Sequence, residues 1–196
     1  MRGLAILLGT FALISCGQER EPSPEPEPLD QRKPLSPLVT QYDDLAAVVS
    51  ANGVAAFQGD IIGFGTERSQ VDAALQTAFG TEAETSSNAE CGAGPMEFSR
   101  FGPLLVGYMD DRLAGWYLED NPIGGEGGKD GVASTDGVRP GVTTLVQLKD
   151  HRAVRMIDST LSGEFQYETG DYGLIGGFSD GDRITALQAG IACVFR

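Results

Sequence analysis

The run Glu21-Pro22-Ser23-Pro24-Glu25-Pro26-Glu27-Pro28 does most to limit what this chain can fold into. Proline fixes its own φ and has no amide donor, so a stretch with proline at every second position supports neither helix nor sheet. Pro34 and Pro37 prolong it, and residues 16–37 read as an extended, semi-rigid spacer reaching about 3.1 Å per residue. A plain spacer is favoured over a ligand for a proline-binding module. Whatever buries a core must therefore lie in residues 38–196, a length that suits one globular domain. Ahead of the spacer, Arg2 precedes an apolar run from Leu4 to Ile14 broken only by Gly9 and Thr10. That is the pattern of a secretory signal over residues 1–15. It is shorter than the roughly 20 apolar residues of a membrane-spanning helix.

Leu13-Ile14-Ser15-Cys16, closing the leader, resembles the lipobox of bacterial lipoproteins. The resemblance implies a mature chain that begins at Cys16, bearing a thioether-linked diacylglycerol and an amide-linked acyl chain. One acyl chain holds a protein to a membrane only marginally, at about 0.8 kcal/mol per buried methylene, whereas several hold it stably. Gly17 stands where an aspartate marks inner-membrane retention in many Gram-negative lipoproteins, so the likeness implies an outer-membrane address in the cell envelope. With Cys16 lipidated, Cys91 and Cys193 remain, an even pair in a compartment where disulfides persist. A bridge between them would close a loop of about a hundred residues and stabilise the fold by up to ~4.7 kcal/mol on a chain-entropy estimate. Two cysteines and the lone His151 fall short of the usual zinc ligand sets, so neither a metal nor another cofactor is implied.

The whole chain carries a net charge of −14. Ten basic and 23 acidic residues fall in 38–196, leaving −13 on the body. Nucleic-acid binding needs cations that displace counterions from phosphates, so nucleic acid is an unfit partner, as is an anionic lipid surface for the body itself. Solubility accounts for the acidic excess. A cationic protein partner is the sharper reading of the same number.

The body contains an internal similarity. Ile62-Gly63-Phe64-Gly65-Thr66-Glu67-Arg68-Ser69-Gln70-Val71 aligns with Val138-Arg139-Pro140-Gly141-Val142-Thr143-Thr144-Leu145-Val146-Gln147, each an apolar residue, a glycine and polar residues opening a helix. Farther on, Leu105-Val106-Gly107-Tyr108-Met109-Asp110 parallels Ile175-Gly176-Gly177-Phe178-Ser179-Asp180. Two repeat units of about 53–120 and 131–193 follow, joined by the glycine-rich Asn121 to Gly131. Val71, Ala74, Leu75, Ala78 and Phe79 recur at helical spacing before the stop at Gly80. A shorter second helix carries Leu145 and Leu148. Strands are expected at 96–100, 104–109 and 112–118, then at 154–159, 164–168, 174–178 and 183–189, with Asp110-Asp111 and Asp180-Gly181-Asp182 as hairpin turns. The expected class is α+β: two tandem helix-plus-strand repeats forming an antiparallel sheet with helices packed on one face. From about Gly53 to Arg196 this layout resembles the beta-lactamase inhibitory proteins and the SmpA/OmlA outer-membrane lipoproteins, on the strength of the Gly-polar-polar helix starts and the Gly-aromatic-Asp strand pair. The likeness implies an interaction protein and transfers no contact residue.

Catalytic patterns are thin. A Ser or Cys mechanism would have to use His151, which sits between Asp150 and Arg152 in a solvated stretch. Gly124-Gly125-Glu126-Gly127-Gly128-Lys129 lacks the spacing of a phosphate-binding loop. Paired carboxylates could hydrolyse glycosides, and Asp110 with Asp111, Glu119 with Asp120, and Asp180 with Asp182 are candidates; turn and strand-end acids are the plainer account of each. Calcium at Asp180 to Asp182 or Asp130 to Asp136 is weighed the same way, since EF-hand spacing is absent. For binding, the adjacent Trp116 and Tyr117 must point to opposite faces of a strand. One enters the core; the other, with Tyr108 or Phe98 from neighbouring strands, is the candidate binding surface. The sequence thus reads as a non-enzymatic envelope lipoprotein that binds a protein or envelope component, in one version as an enzyme inhibitor. An acidic hydrolase and a purely structural component are the alternatives.

Overall fold

The computed structural model describes residues 44–120, 131–191 and 193. Cys16, the leader, the proline-rich spacer and the glycine run at 124–129 lie outside the described residues. Two sheets make up the body. The smaller has the order β3-β2-β1-β8, from β1 (Leu45–Ser50), β2 (Gly53–Ala56), β3 (Ile62–Gly63) and β8 (Gly131–Ser134). Its pairs are antiparallel except β1 with β8, which is parallel. The larger has eight antiparallel strands in the order β4-β5-β6-β7-β12-β11-β10-β9. These are β4 (Glu84–Asn88), β5 (Met96–Phe101), β6 (Leu104–Met109), β7 (Arg112–Glu119), β9 (Val154–Met156), β10 (Glu164–Glu168), β11 (Leu174–Asp180) and β12 (Arg183–Gly190). Strands β4–β7 and β9–β12 each run as a meander, and the two meet where β7 pairs with β12, Leu118 opposite Leu187.

The expected α+β class does not hold. The described residues are mostly β, 47% strand against 14% helix, so the body is not built of helix-plus-strand repeats with helices covering a sheet. The physical reason lies in residues 45–56. Leu-Ala-Ala-Val-Val-Ser and Gly-Val-Ala-Ala are short and alanine-rich, and their burial is nearly continuous rather than alternating, so periodicity could not mark them as strands. They form the second sheet, which supplies much of the cover the helices were expected to give.

Two helices remain. α1 (Arg68–Phe79) buries Val71 and Leu75, packs on β1 and β2 of the small sheet and on β5 and β7 of the large one, and stops at Gly80, whose φ of 68° suits glycine. Its first amide is satisfied from outside: Arg68 N–H donates to the Asp111 carbonyl at 2.9 Å. α2 (Leu145–His151) starts at a capping box, Thr144 with Gln147, and buries Leu145 and Leu148. Its Leu145 and Val146 amides donate to the carbonyl and side chain of Asp182, both at 2.7 Å. Each helix thus begins against the turn of a hairpin in the large sheet.

The core lies between the sheets. Val49, Val54 and Val132 come from one side, Leu104, Trp116, Phe165 and Leu187 from the other. Each fully buried side chain of this size contributes about 1.5–3 kcal/mol. Trp116, 1% exposed, donates its indole N–H to the Ser50 carbonyl at 2.8 Å, tying the centre of the large sheet to the end of β1. Two carboxylates fasten the flanks. Asp72 on α1 accepts from Tyr108 Oη at 2.7 Å, Arg68 Nε at 3.1 Å and Ser99 Oγ at 3.1 Å. Burial, and then that bond to Asp72, hold the Tyr108 phenol far above its ordinary pKa, so it stays a donor. Asp136 accepts from Arg152 at 2.9 Å and from the Gly170 amide at 3.0 Å, in a site that leaves the two side chains 6% and 2% exposed.

Trp116→Ala should lower unfolding stability by about 3–5 kcal/mol through the cavity it leaves. Trp116→Phe should cost about 1–2 kcal/mol, because the indole's bond to the Ser50 carbonyl is lost and the smaller ring leaves space. Urea titration of both variants checks this; losses under 1 kcal/mol would show that the indole does not join the sheets.

Candidate functional site: the outer face of the large sheet

Strand alternation sorts the four candidate aromatics into pairs. Tyr108 and Trp116, each 1% exposed, point into the core. Phe98 and Tyr117 are half-buried on the opposite, outer face. Register makes this unavoidable for Phe98 and Tyr108: Tyr108 lies opposite Glu97, so its face is the one Phe98 does not share. Tyr117 stands opposite Leu105 on β6, and its ring tilts toward Phe178 with centroids 6.5 Å apart.

Between these side chains runs a groove of about 570 Å³, a volume in the range of small-ligand sites. Phe98, Leu105 and Tyr117 form its apolar lining, Ser86 to Asn88 of β4 one side, and Ile191 and Cys193 another. Two glycines let the groove's own walls lie close to the sheet. A Cβ on Gly107 would sit 2.8 Å from Met96 Cε and 3.3 Å from the Phe98 ring, so its absence lets that ring lie across β6. A Cβ on Gly115 would sit 2.3 Å from the Ile191 carbonyl oxygen, so the chain leaving β12 can cross β7 here, its Ile191 amide bonded to Ala114 O at 2.8 Å. At the groove's end Glu119 pairs with Arg100 at 2.9 Å. Burial, and after it the Glu119 and Asp120 carboxylates, raise the Tyr117 phenol above its usual pKa, leaving a neutral donor beside the lining.

The crossing segment brings the two distant cysteines together. Cys193 accepts from Asn88 Nδ2 at 3.3 Å, while Cys91, buried beneath β5, has its sulfur 3.4 Å from that of Met96. Both are thiols in this structure. Burial, then hydrogen bonding to Cys91 and its charge, push the Cys193 thiol up to about 11.

The candidate carboxylates occupy structural positions. Asp110 and Asp111 are the two-residue turn between β6 and β7, with φ of 49° and 59°. Asp182 caps α2, Asp120 pairs with Arg183 at 2.7 Å, and Glu119 is held by Arg100. Asp136 is engaged by Arg152. His151 is exposed at the last position of α2. Among the described residues no three His, Cys, Asp or Glu side chains group as metal ligands would. Sequence reasoning missed the β4 side of the groove and the crossing segment. Its available signal was the pair of glycines inside strands, which marks close approach of another group. Comparison with protein-family models, curated proteins and solved structures finds no match to this chain.

Under oxidising conditions Cys91 and Cys193 should form an intramolecular disulfide, by exchange with a disulfide donor that leaves as two thiols. Intact mass under non-reducing conditions should be two protons lighter than after reduction, and two alkylatable thiols in freshly isolated protein would contradict the pairing.

Proposed function

We propose that the protein is a lipid-tethered binding module of the bacterial cell envelope, held at the outer membrane through Cys16 and engaging a protein or envelope component with the outer face of its large sheet. The observation that carries this reading is the groove itself. The core is complete on the inner face, yet Phe98, Leu105 and Tyr117 are set on the solvent side, lining a cleft together with Gly107 and Gly115. Aromatic side chains of this kind dominate binding energy when a partner desolvates them. The spacer of residues 16–37 would let such a face search a volume above the membrane while the acyl chains stay inserted. Binding is preferred over hydrolysis because, of the carboxylates weighed for catalysis, Asp182 caps a helix, Glu119 and Asp120 are held in ion pairs, and Asp110 and Asp111 form a hairpin turn.

Crosslinking and capture from native envelopes tests the reading. The wild-type chain should retain a discrete component, and Phe98→Ala with Tyr117→Ala should reduce its recovery at least tenfold while the unfolding midpoint stays close to that of wild type. Unchanged recovery would overturn the assignment of the face. In the same fractions Cys16→Ala should move the protein from detergent-dependent to freely soluble material, and continued membrane fractionation would remove the anchor from the account.

A further inference from the structure

Beside the groove lies an open sheet edge, and the partner it fits is specific enough to name by chemistry. We propose that β4 is a docking edge on which an extended, basic protein segment adds as a further strand of the large sheet, placing an apolar side chain in the groove. This rests on the binding reading of that groove and supplies its partner class.

β4 ends the eight-strand order. It runs in unbroken register against β5 from Glu84↔Arg100 to Asn88↔Met96, and Glu84 to Ser87 are exposed. Among the described residues, nothing outside β5 bonds to its backbone. Sheet edges in soluble proteins are commonly blunted by proline, lysine, a bulge or a covering element, because unpaired N–H and C=O groups template another strand. Glu-Thr-Ser-Ser-Asn has no proline, lysine or bulge and a single charge, Glu84, and the described Cys193 reaches only its last residue, at the Asn88 side chain. The opposite edge, β9, is only three residues long.

Register ties this edge to the groove. Ser86 lies opposite Phe98, on the groove's face. In an added strand, the residue beside Ser86 would point to that same face, since side chains alternate along a strand. Main-chain pairing then provides affinity and the cleft selects one side chain, the division of labour seen in strand addition.

Charge selects the partner. Glu82, Glu84 and Glu90 are exposed around the strand, while the flanking cations are already engaged, Arg68 by Asp72 and Glu97 and Arg100 by Glu119. A second copy of the chain would set two such rows against each other, and like charges directly opposed are unfavourable. A segment alternating basic and apolar residues meets opposite charge along its length and offers the cleft a side chain.

The test uses the full chain in detergent and a lysine–valine alternating heptapeptide, with isomers N-methylated on alternate amides of either edge and a glutamate–valine counterpart. The lysine peptide should bind and slow hydrogen exchange at Glu84–Asn88; N-methylation of one edge should weaken it at least tenfold at unchanged charge, and the glutamate peptide should not bind. No binding, equal binding by both N-methylated isomers, or β4 amides already protected in the free chain by its own terminus or a second copy would each overturn the proposal. Should the envelope component captured through Phe98 and Tyr117 leave β4 exchanging freely, strand addition falls and the groove reading stands. Loss of the aromatic dependence instead removes the groove reading.

Discussion

An eight-stranded sheet has two faces, and in this body one of them must be closed by something broad enough to dry it. The small sheet and α1 do this together. Val49, Val54 and Val132 meet Leu104, Trp116 and Leu187 across the interface, and the Trp116 indole bonded to the Ser50 carbonyl gives that layer a polar lock at its centre. An apolar interface alone would tolerate sliding; a buried donor penalises it, since a shift leaves the indole N–H unpaired. Once the inner face is sealed, the outer face is free to carry side chains whose role is not packing.

The flanks follow the same logic with charge in place of indole. Asp72 gathers a tyrosine, a serine and an arginine between α1 and the strands beneath it, and Asp136 gathers Arg152 and a backbone amide at the end of α2. Buried carboxylates are costly unless fully hydrogen-bonded, and removing one partner strands the other. Each network therefore pins the position of an element rather than adding much net stability. The hairpin turns act alongside them: Asp111 and Asp182 both accept amides from the first turn of a helix, so the ends of α1 and α2 are set by the large sheet itself.

What could be read from the residues depended on how much each segment declares by itself. β6 is an apolar run, β7 and β12 mix apolar with small or polar residues, and Asp and Gly turns bound them, so their extents were legible to within a residue or two. β4 could not be seen, because Glu-Thr-Ser-Ser-Asn has no apolar residue and is a strand only through its pairing with β5. β1 and β2 were hidden by alanine and by burial on nearly every residue, and their omission led to a cover of helices being expected where a second sheet stands. For the aromatics, adjacency alone placed Trp116 and Tyr117 on opposite faces. Which one went inside, and that Phe98 rather than Tyr108 accompanies Tyr117, needed the register of β5 on β6. The pairing of Cys91 with Cys193 was expected from their number alone; the crossing of β7 that carries Cys193 to Asn88 was visible only as an unexplained Gly115.

The functional account stands on the claim that the small sheet seals the inner face, since only then is the outer face surplus to folding. Residue-resolved hydrogen exchange on the full chain tests this most directly. Amides of Ala47, Val49 and Ala133 should exchange only through the same global opening as those of β6, β7 and β12, with indistinguishable free energies and denaturant dependence. Exchange of the small-sheet amides through a separate, lower-energy opening that leaves the large sheet protected would contradict it.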